Sequence, residues 1–410
     1  MSNIQIHIEQ TNKFKTVRVQ LSFLSQPSKK EMAARAVLIN MLKQQSEDYP
    51  TKASLLNHLH ERYNMRLSAL PSKIGRVQML SFTVDFIHSD YTLEENDMFI
   101  DAIEVLESLI KRPKLSEKLF LQEKRILEEY FASIYADKSH YAVHAMLKHM
   151  YDDPFYYMDG LGDLKDVKNL TYEDIKKAYQ SLYTDQIVCT VHGQVDEDRV
   201  KRIINERFKQ AEKTDQIFEY TLTHKVDSNR KQVVETQTIK QTNLVLGLDF
   251  PVYFNEEDYF KARFFNVILG GHSESILFKE IREKRNMAYY ISSSYNPYLG
   301  LMVIQTGIDG KNKELVIKAI EDILKDLQEG NLSEAIFTQS KNQLKNALIQ
   351  SQDSQARMTS QKTLQSIFGL SFSLEDRLEE LNTISKEDMA EIAKKLHIST
   401  IFALTGEANE

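Results

Sequence analysis

Histidines at helical spacing are the residues that most directly suggest metal chemistry in this protein. His140 and His144 stand four residues apart in a helical stretch, and two imidazoles on one helix face can bind zinc. No acidic residue lies between them, and Tyr141-Ala142-Val143 is typical of ordinary packing, so we interpret this face as solvated or packed. His58 and His60 point in directions about 200° apart on a helix and cannot share one ion.

Sequence motifs of other catalytic classes are absent, although composition leaves a Ser/His/Asp triad open. Ser, His and Asp all occur, but no Gly-x-Ser-x-Gly, P-loop or dinucleotide fingerprint is present. Gly270-Gly271 is better explained as a helix break than as a phosphate cradle. Cys189 is the single cysteine, so an intramolecular disulfide is excluded, and its apolar run at 187–191 predicts a buried strand thiol.

Composition indicates a globular protein with ample core. The 410 residues are 42% hydrophobic and 27% charged, with a net charge of −7, and this length suggests two or three domains. The acidic balance argues against a nucleic-acid partner. No apolar stretch approaches the roughly 20 residues that span a bilayer, and the N-terminal sequence lacks the pattern of a signal peptide. We expect a cytoplasmic protein with neither a nucleic-acid nor a membrane partner.

Local patterns place strands and helices along the sequence. Period-2 alternation at 4–8 and 17–23 predicts two strands, which we expect to form a hairpin through Thr11-Asn12-Lys13. Helical spacing follows at 30–45, and a second helix is predicted to end at Asn64 in the left-handed conformation. Residues 115–150 predict one long helix or two close ones.

The same patterns then recur more than two hundred residues later. Thr171-Tyr-Glu-Asp corresponds to Ser385-Lys-Glu-Asp, and Asn64-Met65 corresponds to Asn286-Met287. We therefore predict an α+β fold of two duplicated halves, each an α/β sandwich with an antiparallel or mixed sheet covered by helices on one face. The predicted domains are 1–210, a polar linker at 211–232, and 233–410.

This duplicated sequence resembles the pitrilysin/insulinase family of zinc peptidases, the inverzincins. The most specific part is Gly270-Gly271 followed by Leu277-Phe-Lys-Glu-Ile-Arg-Glu-Lys-Arg-Asn-Met-Ala-Tyr289 and then by Ser292-Ser293-Ser294. The family's arginine and tyrosine, seven residues apart, bind substrate backbone. The resemblance therefore implies that Arg282 and Tyr289 are substrate-binding residues.

The resemblance also shows what this protein lacks. Active members carry H-x-x-E-H on the first helix, where two histidines bind zinc and the glutamate activates water. The corresponding positions are Ala36, Ile39 and Asn40, and Glu129 matches the family's third ligand. A lone carboxylate does not make a zinc site where three ligands are usual, so we expect no metal and no catalytic residues here.

Two functions of different class follow from the resemblance. In the first, the protein is a non-catalytic subunit that pairs with an H-x-x-E-H-bearing homologue, which holds the zinc, and it helps to bind a peptide or protein substrate in a shared chamber. It looks most like the silent subunit associated with aminopentanol modification of elongation factor P in low-GC Gram-positive bacteria, and a silent subunit of a peptide-maturation protease is a neighbouring alternative. In the second, it is a peptidase with a displaced metal site that uses His140, His144 and an acid such as Glu129.

Overall fold

The computed structural model describes residues 4–93, 96–209, 217–225 and 229–406. Each half of the sequence supplies one five-stranded sheet with flanking helices. Part of the predicted linker, at 211–216 and 226–228, lies outside the described residues. No helix among the described residues is long and apolar enough to cross a membrane.

The described residues of the first half form five strands and eight α-helices. Its strands are β1 (Ile4–Gln10), β2 (Thr16–Ser25), β3 (Arg66–Ile74), β4 (Val77–Ile87) and β5 (Gln186–Gly193). Its helices, as the structure describes them, are α1 (Lys29–Leu42), α2 (Lys52–Glu61), α3 (Met98–Lys111), α4 (Glu117–Ala136), α5 (Lys138–Met150), α6 (Leu164–Lys168), α7 (Tyr172–Ser181) and α8 (Glu197–Phe208).

The second half repeats this arrangement. Its strands are β6 (Lys231–Gln237), β7 (Thr242–Asp249), β8 (Ala288–Asn296), β9 (Leu301–Ile308) and β10 (His397–Gly406). Its described helices are α9 (Tyr259–Leu269), α10 (Lys313–Gln328), α11 (Glu334–Ser351), α12 (Gln355–Phe368), α13 (Leu374–Thr383) and α14 (Lys386–Lys394), with a π-helical turn at Phe278–Lys284.

The two sheets have one topology. Their strand orders, β1-β5-β2-β4-β3 and β6-β10-β7-β9-β8, are identical when the strands of each half are numbered from its start. Both sheets are mixed, because β1 pairs with β5 in parallel and β6 pairs with β10 in parallel. The predicted duplication is therefore confirmed. The predicted β1–β2 hairpin is wrong, because β5 lies between the two strands.

Each of the two compact units of the protein contains a helical segment that comes from the other half of the sequence. One unit comprises Met1–Phe131, Met158–Glu219 and Ser351–Ser371, and the other comprises Ala132–Tyr157, Tyr220–Gln350 and Phe372–Glu410. These units differ from the continuous domains predicted at 1–210 and 233–410, because α12 packs in the first unit and α5 packs in the second.

Each exchanged helix covers a second face of a sheet, so the expectation of helices on one face only is wrong. In the first unit, α12 packs on the side that carries Thr190, whose hydroxyl lies 2.8 Å from that of Thr363. In the second unit, α5 contributes Met146 to a cluster with Val303 and Phe402, whereas the opposite face packs against α9, α10 and α14. Helices therefore flank both faces of each sheet.

Candidate functional site

The positions of the missing zinc motif are filled with core side chains. Helix α1 begins with a capping box between Ser28 and Glu31, which fixes its first turn. Further along the helix, Ala36 and Ile39 are both 0% exposed. Asn40 is half-buried, and its Nδ2 donates to the carbonyl oxygen of Ala36 at 3.2 Å. Ala36 and Ile39 pack in the core and have no atom that could bind a metal. The Asn40 side chain instead satisfies a carbonyl group of the helix backbone.

A buried ion pair stands beside these positions. Arg35 is 1% exposed, and its guanidinium bonds to the carboxylate of Asp185, with Nη2 and Oδ2 2.5 Å apart, and to Gln78 Oε1 at 3.0 Å. Gln78 Nε2 in turn donates to the carbonyl oxygens of Met32 and Gly160 at 2.9 and 2.8 Å. Burial raises the pKa of Asp185 to about 6, and Arg35 opposes the shift. The network joins α1 to β4 and to the start of β5.

The acid that matches the family's third ligand lies on the surface. Glu129 accepts a hydrogen bond from Arg125 Nε at 2.8 Å, and both side chains are mostly exposed. The buried acid of α4 is instead Glu123, which is 3% exposed and accepts from Gln44 Nε2 at 3.3 Å. Burial raises the pKa of Glu123, and Lys43 opposes the shift.

Sequence reasoning missed Glu123, although a signal was present. The residue falls in the apolar stripe of α4, with Leu119 and Leu127 four residues away on either side. An acid in the apolar stripe of a helix faces the core together with the apolar residues of that stripe. Helical periodicity could therefore have separated Glu123 from Glu129.

The histidines considered for a displaced metal site have other neighbours. His140 Nδ1 lies 3.3 Å from Asp137 Oδ2, and this imidazole is 74% exposed. The ring of His144 lies edge-on to Tyr135 and Tyr157, at centroid distances of 5.8 and 5.7 Å. Within the described ranges, no three His, Cys, Asp or Glu side chains are grouped so that they could hold a metal ion.

Arg282 lies on the π-helical turn Phe278–Lys284 and is exposed. Its guanidinium carbon stacks over the ring of Phe278, 4.6 Å from the centroid, which orients the donors without using them. Ile281 is fully buried, and its carbonyl oxygen accepts from Met287 N at 3.0 Å. Between them, Asn286 adopts a φ of +50°. A π-helical turn is a rare element that is frequent at functional sites.

Tyr289 lies on an edge strand, at a β-bulge. Ala288 faces Ile308 of β9 and Tyr290 faces Gly307, so Tyr289 between them has no partner residue in the ladder of these two strands. Its side chain is 64% exposed. A bulge re-aims a side chain at the rim of a sheet. The structure therefore places Arg282 and Tyr289 on consecutive elements of one helix-to-strand corner, both accessible to a ligand.

Strand β8 forms one edge of the second sheet, and one of its backbone donors, Ser293 N, is already bonded to the carbonyl oxygen of Gly270. Among the described strands, β8 pairs with β9 alone, so its other side lies outside the hydrogen-bond ladder of the sheet, and an extended peptide can bind to such an edge. The equivalent edge strand of the first half, β3, contains Pro71, which has no N–H to offer. Each of these two corresponding edges therefore has at least one position without a free backbone N–H, Pro71 in β3 and Ser293 in β8.

Close packing fixes the position of β8. Ser293 N donates to the carbonyl oxygen of Gly270 at 3.1 Å, and Ser293 Oγ donates to Asn266 Oδ1 at 2.8 Å. A Cβ atom at Gly270 would lie 2.6 Å from Ser293 N. The glycine therefore ends α9, as the sequence predicts, and also lets the strand approach the helix end.

Comparisons with known proteins agree on one family. The model of the peptidase M16 inactive domain matches residues 169–344. The probable inactive metalloprotease YmfF of Bacillus subtilis is 28% identical over 407 residues, which cover 98% of this protein and 95% of that one.

Solved structures extend the similarity to the whole sequence. A conserved protein from Enterococcus faecalis superposes with a TM-score of 0.92 at 25% identity, covering 100% of this protein and 98% of that one. A peptidase M16 inactive domain from Pseudomonas fluorescens has the same fold, with a TM-score of 0.81 at 15% identity and coverage of 99% and 96%.

Proposed function

Because this protein is similar to M16 peptidases and inactive M16 homologues along its sequence and lacks the H-x-x-E-H motif, we propose that it is the non-catalytic subunit of a pair. In this proposal an H-x-x-E-H-bearing homologue supplies the zinc and the water-activating glutamate. The present subunit supplies Arg282 and Tyr289, which help to bind the peptide substrate in a shared chamber.

One contrast supports the proposal above all others. The metal positions have become core, since Ala36 and Ile39 are fully buried, while Arg282 and Tyr289 remain exposed beside the edge strand β8. A protein that had lost both roles would have no reason to keep an arginine and a tyrosine accessible at such an edge. Loss of the one role and retention of the other is the division of labour that a two-subunit peptidase requires.

The chemistry of binding follows from the donors present. Apart from Ser293, whose N–H is bonded to the carbonyl oxygen of Gly270, the outer edge of β8 can form a ladder with an extended peptide, which reads the peptide backbone rather than its side groups. Arg282 offers five N–H donors in a planar fork and Tyr289 offers one hydroxyl. Both can donate to carbonyl oxygens of that peptide. Binding of this kind positions a scissile bond without selecting one residue type, so it suits a broad range of peptides.

Arg282→Ala and Tyr289→Phe test the proposal in the reconstituted pair. A charge-assisted hydrogen bond contributes roughly 1.5–3 kcal/mol, so removing Arg282 should lower kcat/KM of the pair by about ten- to hundred-fold. The neutral hydroxyl of Tyr289 should cost less. Co-purification and thermal unfolding should be unchanged, because both side chains are exposed.

Arg202→Ala is the matched control, since Arg202 is an exposed arginine of α8 that pairs only loosely with Glu206, at 3.8 Å. It should leave kcat/KM unchanged. Wild-type rates for both Arg282→Ala and Tyr289→Phe would remove the substrate-binding role.

The substrate of the pair is a finer part of the proposal. The sequence predicts that the pair acts in the aminopentanol modification of elongation factor P. Deleting the gene for this protein and measuring the mass of elongation factor P tests this prediction, because the modification should be lost. An unchanged mass would instead direct attention to the alternative, a silent subunit in peptide maturation. Metal analysis of the subunit purified alone separates both from a peptidase with a displaced zinc site, which would carry stoichiometric zinc.

A further inference from the structure

The β-bulge that carries Tyr289 places two successive tyrosines between two core residues of β8. Ala288 and Ile291 both pack in the core cluster that includes α9 and α10, although residues three apart in a regular strand point to opposite faces of a sheet. The register shift between Ala288 and Tyr290 supplies the extra residue that makes this possible. The position of Tyr289 therefore depends on what holds Tyr290.

The side chain of Tyr290 reaches across the neighbouring strand. Tyr290 of β8, Gly307 of β9 and Asn243 of β7 form one row across three strands. A Cβ atom at Gly307 would lie 2.4 Å from Tyr290 Cε1, so the tyrosine ring occupies the space that the glycine leaves. The Tyr290 hydroxyl then donates to Asn243 Oδ1 at 3.0 Å. The glycine is what allows a residue of the edge strand to bond to the third strand of the row.

Two further contacts hold Tyr290. Ser139 Oγ, in the first turn of α5, lies 3.1 Å from the Tyr290 hydroxyl oxygen and donates to it, because the proton of that hydroxyl is directed at Asn243. Thr306 Oγ1 donates to the carbonyl oxygen of Tyr290 at 2.7 Å. Burial raises the pKa of Tyr290, which keeps its hydroxyl protonated as a donor. Tyr290 is thus held at both its side chain and its backbone, whereas Tyr289 is 64% exposed.

We propose that Tyr290 is a positioning residue that keeps Tyr289 exposed at the site of peptide binding. A shift of the strand by one residue would move each side chain to the other face of the sheet. The bonds of Tyr290 to Asn243, Ser139 and Thr306 stabilise the register in which Tyr290 is held and Tyr289 is left accessible. Tyr290 acts through Tyr289 and does not itself contact the peptide. This inference rests on the proposed function, because it concerns how the same tyrosine meets the substrate.

A double-mutant cycle in the reconstituted pair tests the inference. Tyr290→Phe removes the hydroxyl that bonds to Asn243 and Ser139, and it should lower kcat/KM about two- to tenfold, the range for loss of one neutral hydrogen bond to the substrate. The loss should occur only where Tyr289 keeps its own hydroxyl. Tyr290→Phe added to Tyr289→Phe should therefore lower kcat/KM no further, because residues that act as a unit are not additive.

Tyr141→Phe is the matched control. Tyr141 lies in α5 and donates its hydroxyl to Glu235 Oε1 at 2.7 Å, and Glu235 lies in β6 at the opposite edge of the sheet. This variant loses a hydroxyl bond between α5 and the sheet and should leave kcat/KM unchanged. Ser139→Ala is a second test that keeps the Tyr290 ring and hydroxyl, and it should give a smaller loss with the same dependence on Tyr289. Thermal unfolding of each variant measures the change in stability.

The outcomes separate the inference from the proposed function. If Tyr289→Phe lowers kcat/KM and Tyr290→Phe does not, or lowers it equally with and without the Tyr289 hydroxyl, the inference is overturned while the proposed function stands. A loss of the same size in Tyr141→Phe would assign the effect to general loosening of the sheet and would also overturn the inference. If neither Arg282→Ala nor Tyr289→Phe changes kcat/KM, the proposed function fails and the inference fails with it.

Discussion

Where a zinc peptidase carries its two histidines, this protein has an alanine sealed in the core and a half-buried asparagine bonded to its own helix. Sequence comparison identifies the substitutions, because alanine and isoleucine have no metal-binding atom. It does not show that the space has closed around Ala36 and Ile39, which depends on packing from distant parts of the sequence. Sequence comparison also matches Glu129 to the family's third zinc ligand, but it does not show that this side chain is exposed on the surface.

Restoring the motif should destabilise the protein rather than recover zinc. Ala36→His, Ile39→Glu and Asn40→His together place a large ring and a carboxyl group at fully buried positions, where overpacking costs about 1–3 kcal/mol and an unpaired charge costs more. We expect a markedly lower thermal midpoint and less than stoichiometric zinc by elemental analysis. Asn40→His alone should be tolerated, because Asn40 is only half-buried. A triple variant that keeps its wild-type midpoint and binds one zinc would contradict this account.

Glu123 gives a pH-dependent prediction. Burial raises the pKa of Glu123 in the folded protein, because the charged carboxylate is less stable there than in the unfolded protein. The free energy of unfolding therefore falls as the pH rises through the raised pKa. Glu123→Gln should therefore raise the thermal midpoint at pH 8, and the gain should shrink towards pH 4, where the wild-type carboxyl is also neutral. The control is Glu129→Gln at an exposed position of the same helix, which should shift the midpoint little at either pH. A gain independent of pH would show that the charge is not the cause.

At the scale of elements, local signals are reliable where one segment determines its own ends. The capping boxes at Thr171 and Ser385 and the left-handed Asn64 were all predictable, since each depends on a few adjacent residues. The β1–β2 hairpin was not, because β5 inserts between the strands from a distant part of the sequence. The π-helical turn has no recognised periodicity in the sequence.

Gly270→Ala tests how the corner of Arg282 and Tyr289 is held. The φ of Gly270 is −159°, an extended value open to any residue, so the cost is the contact of the new Cβ with Ser293 N at 2.6 Å. We expect a loss of about 1–3 kcal/mol and weaker peptide binding as β8 shifts, measured by thermal unfolding and anisotropy. Gly310→Ala is the control, because its Cβ would meet only Thr242 Oγ1 at 3.1 Å. Equal effects of both variants would mean that the approach of β8 to α9 is unimportant.

At the scale of the whole molecule, the duplication was visible in the sequence and the exchange of helices was not. Recurring caps and turns identify two halves, whereas the position of α12 depends on polar contacts that no repeat reveals. Gln355 Nε2 donates to the carbonyl oxygens of Thr16 and His192 at 2.9 and 2.8 Å, and Thr363 bonds to Thr190. From its sequence alone, a polar helix such as α12 would be predicted to lie on the surface of the half that contains it.

A fragment experiment tests the exchange. Residues 1–219 alone should unfold at a lower temperature than residues 1–219 mixed with a synthetic peptide of residues 351–371, because α12 covers a face of that sheet. A peptide carrying Gln355→Ala and Thr363→Ala should stabilise the fragment less. Circular dichroism during heating measures both effects. A fragment that unfolds cooperatively at the same temperature with and without the peptide would favour the continuous domains.

Peptide hydrolysis by the separated and combined subunits tests the central claim most directly. This protein, an H-x-x-E-H-bearing homologue from the same organism, and their mixture are assayed on the same unstructured peptides, with the metal content of each protein measured. We predict that this protein alone hydrolyses nothing and that the mixture is far more active than the homologue alone. Hydrolysis by this protein alone with stoichiometric zinc, or a mixture no more active than the homologue, would contradict the account.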